Sequence, residues 1–369
     1  MVEGPLSTSV PICLGCHIPL IENEDPFVCP ECCWPMCSLK CCDDIQHRKE
    51  CKILSNDTKK IGVPNSFTDT PRYDIITVLR CLLLRDSNQE AWECLMKMES
   101  HAKTRESYRE AHHIATVRYL SEVCNIDYDL ETIHHIRGAI VTNGIEIRGP
   151  KGGKIRAVYP RIRLLNHSCI PNVHLTCSSI GVMEARSAVS IEKGETLLIC
   201  YTGTVEPLWE RQRCAIDVYH FQCRCNRCKD PTEMGTYFSS PKCSECPDRY
   251  LLPNINIPIM KWYCMCCEME YTTSDIRQEI EEWESRIDMN DFFGSRSAKS
   301  ILNKVLQVEN SFHSMHFLVL RVAHKAIGHM LTDFSQEALN AKKTLWTKIL
   351  SFYDVLEPGL TRRRGETVE

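Results

Sequence analysis

Cys13-x2-Cys16, Cys29-x2-Cys32, Cys37-x3-Cys41 and His47-x3-Cys51 set eight thiolate and imidazole ligands within residues 13–51. Each C-x2-C pair forms a knuckle that aims two sulfurs at one ion, and thiolate with imidazole suits tetrahedral zinc. Eight ligands in so short a run imply two ions. The segment carries too little apolar side chain to fold alone, so metal must supply its stability, roughly 10–16 kcal/mol of apparent binding energy in small fingers. Cys33 and Cys42 are extra, and either could shift the register by one. Farther along, Cys223-x-Cys225-x2-Cys228 offers three thiolates, one short of a tetrahedral set. Cys243-x2-Cys246 and Cys264-x2-Cys267 make two more knuckles that read as a zinc-ribbon-like site, in which Cys266 could replace Cys267.

Disulfides are the competing use for 24 cysteines. The start, Met1-Val2-Glu3-Gly4-Pro5-Leu6-Ser7, has no basic or apolar run of the secretory kind. Thiols stay reduced in cytosol and nucleus, so the paired spacings favour zinc and the expected location is cytoplasm and nucleus. A net charge of −4 argues against coating a nucleic acid, and direct nucleic-acid contact is not expected. The apolar stretch from Ile75 to Leu84 contains Arg80 and is too short to span a bilayer, so no membrane partner is expected.

Between the cysteine modules lies Asn166-His167-Ser168-Cys169-Ile170-Pro171-Asn172. With the three cysteines that follow about fifty residues later, it resembles the core of a SET-domain protein methyltransferase with a post-SET zinc site. The ligand order of residues 13–51 is similar to that of the MYND finger. Together these motifs resemble the SET-and-MYND family over roughly residues 13–356, and Asp230-Pro231-Thr232-Glu233-x-Gly235-Thr236-Tyr237 resembles its arthropod, SmydA-type branch.

The resemblance implies the roles that follow. Cys13, Cys16, Cys37 and Cys41 would hold one ion, and Cys29, Cys32, His47 and Cys51 a second. Cys169 would complete a third with Cys223, Cys225 and Cys228, and Cys243, Cys246, Cys264 and Cys267 would hold the fourth. S-adenosylmethionine would be met by Asn166 and His167, by Asn143 near its amino-acid end, and by Phe221 over the adenine. Tyr201 and Tyr219 are the candidate catalytic residues, one hydroxyl facing the transferring methyl. Read without the family, Asn143-Gly144 is a turn pair, and Tyr201 and Tyr219 are core tyrosines. The implied substrate is a protein lysine, on a histone or another protein, and the finger would bind proline-containing peptides. The alternative is a non-catalytic adaptor or transcriptional co-regulator. Four closed zinc sites leave no open position, so metal catalysis is not expected.

The expected fold is α+β. Residues 1–12 form a tail, 13–51 the double finger, 52–135 a helical insertion, 136–222 a β-rich SET core, 223–274 the post-SET site and ribbon-like knuckles, and 275–369 a helical region. Periodicity predicts helix around Asp74–Leu83 and Ala111–Leu120, with Pro71 near the first turn. Strands are expected at Ile145–Ile147, Lys154–Val158, Val173–Thr176, Val182–Ala185 and Thr196–Ile199. Cys81, Cys94, Cys124, Cys177, Cys200 and Cys214 lack ligand-spaced partners and read as small buried hydrophobes. His112-His113 and His134-His135 read as core or surface histidines.

Only twelve residues precede Cys13, and no Gly-x-Gly turn occurs among them. In the family a first SET segment with that turn approaches the cofactor, and Val2–Leu6 resembles its end. The C-terminal helical region also stops early for the family. An incomplete gene model or a chain that has lost half its cofactor pocket would both read this way. The expectation is that the chain as written binds S-adenosylmethionine weakly or not at all.

Overall fold

A computed structural model describes residues 2–6, 9–20, 27–60, 73–101, 111–178, 181–246, 248–255, 260–288, 292–294 and 297–360, without the side chains of residues 111, 112 and 150. Pro71 and the arginine run at 362–364 lie outside the described residues. The chain divides into two compact units, residues 1–165 with 175–185, and residues 166–174 with 186–369. It is mixed helix and sheet, as expected for an α+β protein.

In the first unit, strand β1 (Val2–Pro5) precedes the cysteine module, whose helices are α1 (Leu39–Cys42) and α2 (Ile45–Leu54). Asp44 caps α2 by accepting from the N–H of Gln46. Helices α3 (Asp74–Leu82), α4 (Leu84–Ser87), α5 (Gln89–Met96), α6 (Ala111–Arg118) and α7 (Leu130–Asn143) follow, and a π-helical turn at Tyr119–Val123 continues α6. The helical stretch thus breaks into short pieces. Strands β2 (Gly144–Arg148) and β3 (Lys154–Val158) form a hairpin, and β3 pairs antiparallel with both β2 and β1. The hairpin turns at Gly152, whose φ of 89° suits glycine.

Helix α3 buries Ile75, Ile76, Val78, Leu79 and Leu82. It lies so close to β1 that a Cβ on Gly4 would stand 2.4 Å from Oγ1 of Thr77. Arg80, on the same helix, is buried with Glu50. Its Nε donates to Glu50 Oε1 at 2.5 Å, and its Nη atoms donate to the carbonyls of Glu3 and Leu14. One guanidinium therefore joins β1, the first knuckle and α2, and full burial of the pair is tolerated because every charge is hydrogen-bonded.

The second unit begins with β4 (Asn166–His167), which pairs in parallel with β7 (Leu198–Ile199). Strands β5 (Val173–Cys177) and β6 (Met183–Ser187) form a two-stranded sheet, of which residues 175–185 belong to the first unit. Helix α8 (Leu208–Asp217), the short α9 (Asn226–Lys229) and the antiparallel meander β8 (Leu251–Asn254), β9 (Lys261–Cys264) and β10 (Glu270–Thr272) lead to α10 (Thr273–Asp288), α11 (Ala298–Ser311), α12 (Phe317–His329) and α13 (Gln336–Leu356). One core joins these pieces. Trp209 of α8 packs edge-on against Trp262 of β9 and Phe317 of α12, with ring centroids 5.9 and 5.8 Å apart. Ile280, Ile301, Val305, Leu318, Val322 and Ile349 close around them. Among the described residues no helix is long and apolar enough to cross a membrane.

Candidate functional site

The four ligand sets drawn from the sequence come together in space. In each of Cys13/Cys16/Cys37/Cys41, Cys29/Cys32/His47/Cys51, Cys169/Cys223/Cys225/Cys228 and Cys243/Cys246/Cys264/Cys267, the ligand atoms all lie within 4.8 Å of one another. A zinc–sulfur bond of about 2.3 Å at the tetrahedral angle requires sulfurs about 3.8 Å apart. The observed separations are 3.6 Å for Cys16–Cys37, 3.6 Å for Cys29–Cys51, 3.9 Å for Cys169–Cys223 and 3.7 Å for Cys243–Cys267. The donor sets therefore fit zinc. All 24 cysteines are free thiols. Cys33, Cys42 and Cys266 stand outside the four sets, and Cys266 is exposed.

At least one sulfur in each of three sets is drawn below the usual thiol range, while burial and neighbouring thiols raise others such as Cys16, Cys32, Cys228 and Cys246. In the fourth set, backbone N–H groups of Cys267 and Cys266 draw Cys264 down to about 6. In the second, burial pushes Cys29 up, but the N–H of Cys32 and the imidazole of His47 outweigh it and bring the thiol to about 6. In the third, the thiols of Cys223, Cys225 and Cys228 hold Cys169 far below the usual thiol range. Sulfurs so close together favour a shared cation.

The third set adjoins an aromatic group in the second unit. β4 places His167 beside Ile199 of β7, two residues before Tyr201. The N–H of Tyr201 donates to Nδ1 of His167 at 3.0 Å, so the imidazole carries its proton on Nε2, which faces Sγ of Cys169 at 3.5 Å. The rings of His167 and Tyr201 lie 5.1 Å apart, Tyr201 and Tyr219 4.9 Å, and His167 and Phe221 5.7 Å. Tyr219 and Phe221 both reach this group because His220 between them adopts a left-handed φ of 56° just past α8. The four rings are half-buried and Asn166 is exposed, which leaves an accessible aromatic wall. Burial pushes the Tyr201 phenol above its usual range, so it stays protonated.

Asn143 belongs to the first unit. It ends α7, and its Nδ2 donates to the carbonyls of Glu99 and Ala139. Of the six cysteines read as buried hydrophobes, Cys81 and Cys124 are fully buried. Cys94, Cys177, Cys200 and Cys214 are only half-buried, and this corrects the expectation. Cys94 accepts from Arg163, and Cys177 lies against the Tyr159 hydroxyl, so polar neighbours hold these thiols nearer the surface. His113 and His134 stack with an Nε2–Nδ1 contact of 2.7 Å. The side chain of His112 lies outside the described residues.

Several residues that hold the site were not singled out in the sequence. Asn172 accepts from the N–H of Leu198 at 2.7 Å and donates to the carbonyl of Thr196 at 2.9 Å, which locks β7 beside β4. Gln212 grips both backbone groups of Cys223. Arg211 and Arg227 are fully buried around Glu233. Asn172 closes the Asn-His-Ser-Cys run, and Arg227 sits between two ligands; those positions were the available signals. A cavity of about 560 Å³ in the second unit, bounded by Trp209, Arg277, Phe317 and Tyr353 among others, contains none of the sequence-predicted site residues.

The SET domain family model matches residues 44–202. Over 268 residues the chain is 29% identical to the SET domain-containing protein SmydA-8, isoform B, of Drosophila melanogaster, covering 67% of this chain and 54% of that protein. Isoform A is 25% identical over 277 residues, with 73% and 58% covered. The N-lysine methyltransferase SMYD2-B of Danio rerio is 28% identical over 140 residues, with 36% and 32% covered. The chain thus spans a little over half the length of the SmydA-8 proteins.

Proposed function

We infer that this chain, which belongs to the SET-domain proteins of the SmydA type, is a protein-lysine methyltransferase that draws its methyl group from S-adenosylmethionine and holds that donor weakly. The observation that carries this reading is the assembly of His167, Tyr201, Tyr219 and Phe221 beside the third tetrathiolate set.

Bound S-adenosylmethionine supplies an electrophilic sulfonium methyl. Attack requires the lysine amine without its proton, although its ordinary pKa is near 10.4. A wall of aromatic rings suits that need, because it withholds water from the ammonium form and lets the neutral amine enter. The amine lone pair would accept the methyl as the donor leaves as a neutral thioether, and the methylated ammonium would lose its proton to solvent. The phenol oxygens of Tyr201 and Tyr219 would face the partial positive charge on the methyl. Asn166 and His167 would line the donor side, and Phe221 would stack on the adenine. The four metal centres are zinc and act by holding backbone in place.

The eight-ligand module at residues 13–51 is a MYND finger with a second, docking role. Leu39 and Ile45 beside its ligands are 61% and 75% exposed, and apolar side chains left bare on a metal-held frame suit a proline-containing peptide. The protein works in cytoplasm and nucleus, where thiolates stay reduced.

The test uses tritiated S-adenosylmethionine with a cell extract as the source of acceptor proteins. Label should appear on lysines, and Tyr201→Phe should remove it while zinc content stays unchanged. Ultraviolet cross-linking of the same donor should be lost in Phe221→Ala. Cross-linking that persists in Phe221→Ala, or label on residues other than lysine, would overturn the reading.

A further inference from the structure

Two buried guanidinium groups lie between the third metal set and the loop that follows Tyr201. Arg211 on α8 and Arg227 inside the Cys225-x2-Cys228 knuckle are both 0% exposed, and Glu233 between them is 1% exposed. Arg211 Nη2 and Arg227 Nε donate to the same oxygen, Glu233 Oε1, at 2.5 and 3.0 Å. One further donor of each turns to a single loop, while Arg211 Nε, Arg227 Nη2 and Glu233 Oε2 have no hydrogen-bond partner among the described residues. Arg227 Nη1 donates to the carbonyl of Thr204 at 2.5 Å and Arg211 Nη1 to that of Glu206 at 3.4 Å. The Arg227 guanidinium also sits 5.0 Å over the ring of Phe238.

Glu233 is presented at visible conformational cost. Glu233 and Met234 both adopt left-handed backbone, with φ of 49° and 64°, ahead of Gly235 at 74°. Asp230 holds that turn by accepting from the N–H groups of Thr232 and Met234. Non-glycine residues persist there only where the surroundings over-determine them. The charge balance supplies the reason. Two buried cations share one carboxylate, which leaves an excess positive charge away from water. A divalent ion in four thiolates carries two net negative charges, and the thiolates of Cys169, Cys228 and Cys225 act on Arg211. A metal-loaded third set would be the counter-charge that makes the burial of both arginines tolerable.

We propose that Arg227 and Arg211, bridged by Glu233, are positioning residues that transmit the order of the third metal centre to Tyr201. Arg227 is fixed at its Cα by the ligands on either side. Its side chain then fixes Thr204, three residues beyond Tyr201. From the other side the hydroxyl of Thr204 donates to Glu357 Oε2 at 2.8 Å, and Glu357 faces His174 Nδ1 at 3.4 Å. The loop is clamped at both faces, and the Tyr201 ring is held against His167. The catalytic meaning rests on the methyl-transfer reading above; the geometric coupling does not.

The test labels the full chain with 3-fluorotyrosine and identifies the Tyr201 fluorine resonance by its absence in Tyr201→Phe. Arg227→Met and Glu233→Gln should shift or broaden that resonance while zinc content by mass spectrometry stays at the wild-type value. Arg227→Lys, which keeps the charge but not the fork, should give an intermediate effect. Arg213→Met, at an exposed arginine of α8, should leave the resonance in place. With active enzyme, kcat should fall by on the order of tenfold or more with the donor KM little changed, and Arg227→Lys should partly restore it. An unmoved Tyr201 resonance in zinc-replete Arg227→Met overturns the proposal, as does a shift that appears only when zinc is lost. Should Arg227→Met fail to fold, Glu233→Gln and Arg227→Lys decide by the same criteria. A wild-type chain that transfers no methyl group, yet whose Tyr201 resonance responds as described, would refute the methyl-transfer reading and leave the coupling standing.

Discussion

His167 holds Tyr201 by its backbone and not by its hydroxyl: the Tyr201 N–H donates to Nδ1 of the imidazole at 3.0 Å, and the opposite ring nitrogen faces the Cys169 sulfur at 3.5 Å. One ring thereby couples a metal ligand to the candidate catalytic tyrosine. Replacing it with phenylalanine keeps the ring packing and removes both hydrogen bonds. His167→Phe should weaken zinc binding at the third centre by about 10–100-fold, the usual effect of losing a partner that supports a ligand. Competition with a chromophoric chelator measures this, and an unchanged release curve would count against the coupling.

Tyr201→Phe should cut methyl transfer by on the order of 10²-fold, the scale of losing one polar group that faces developing charge. Its melting temperature should change little, because Tyr201 is half-buried and its ring contacts persist. Loss of folding in place of loss of rate would return Tyr201 to the status of a core tyrosine.

Asn172→Ala removes the acceptor for Leu198 N–H and the donor to Thr196 in a site only 8% exposed. The partners are left unsatisfied, so the cost should be about 2–3 kcal/mol by chemical denaturation. The parallel pairing of β4 with β7 depends on these bonds, and methyl transfer should fall with it. A cost under about 0.5 kcal/mol would mean that water replaces the amide.

Four ligand sets predict four zinc ions per chain by elemental mass spectrometry, and Cys225→Ser should lower the count by one. Chelation should unfold residues 13–51 first, since metal is their main source of stability. A count of two or fewer would break the ligand assignment.

His316 caps α12 by accepting the N–H of Leu318 on Nδ1, and it is fully buried against Phe312 at 4.3 Å between centroids. Burial holds it well below its usual 6.5. The unfolded chain takes up a proton near pH 6.5 and the folded chain does not. The stability conferred by a neutral His316 is therefore complete above 6.5 and is lost as the pH falls below it, by about 1.4 kcal/mol per pH unit until the folded value is reached. His316→Asn retains a cap and lacks the titration. Its melting temperature should depend less on pH between 7.5 and 5.0 than that of the wild type, and equal slopes would refute the assignment.

The chemistry of this protein was legible in its sequence wherever it depends on short spacing. A C-x2-C pair makes its knuckle by local backbone geometry, so the knuckles could be read from spacing; the interleaved grouping and the place of Cys169 came from the family resemblance, and the structure brings the same four sets together. The strands at Ile145–Ile147 and Lys154–Val158 and the helices from Thr273 to Leu356 were equally local, since their periodicity records which face meets the core. Contacts between distant residues were not readable. Nothing near Gly4 announces Thr77, and nothing in Arg227 announces Thr204 or Glu233, because burial of a charge depends on what other segments bring to it. Likewise the family resemblance gives Tyr201 and His167 separate roles, but only the parallel pairing of β4 with β7 decides that a backbone N–H, and not a phenol, meets the imidazole. Local geometry is written residue by residue. Charge compensation and hydrogen-bond partners in the interior are set by the packed whole.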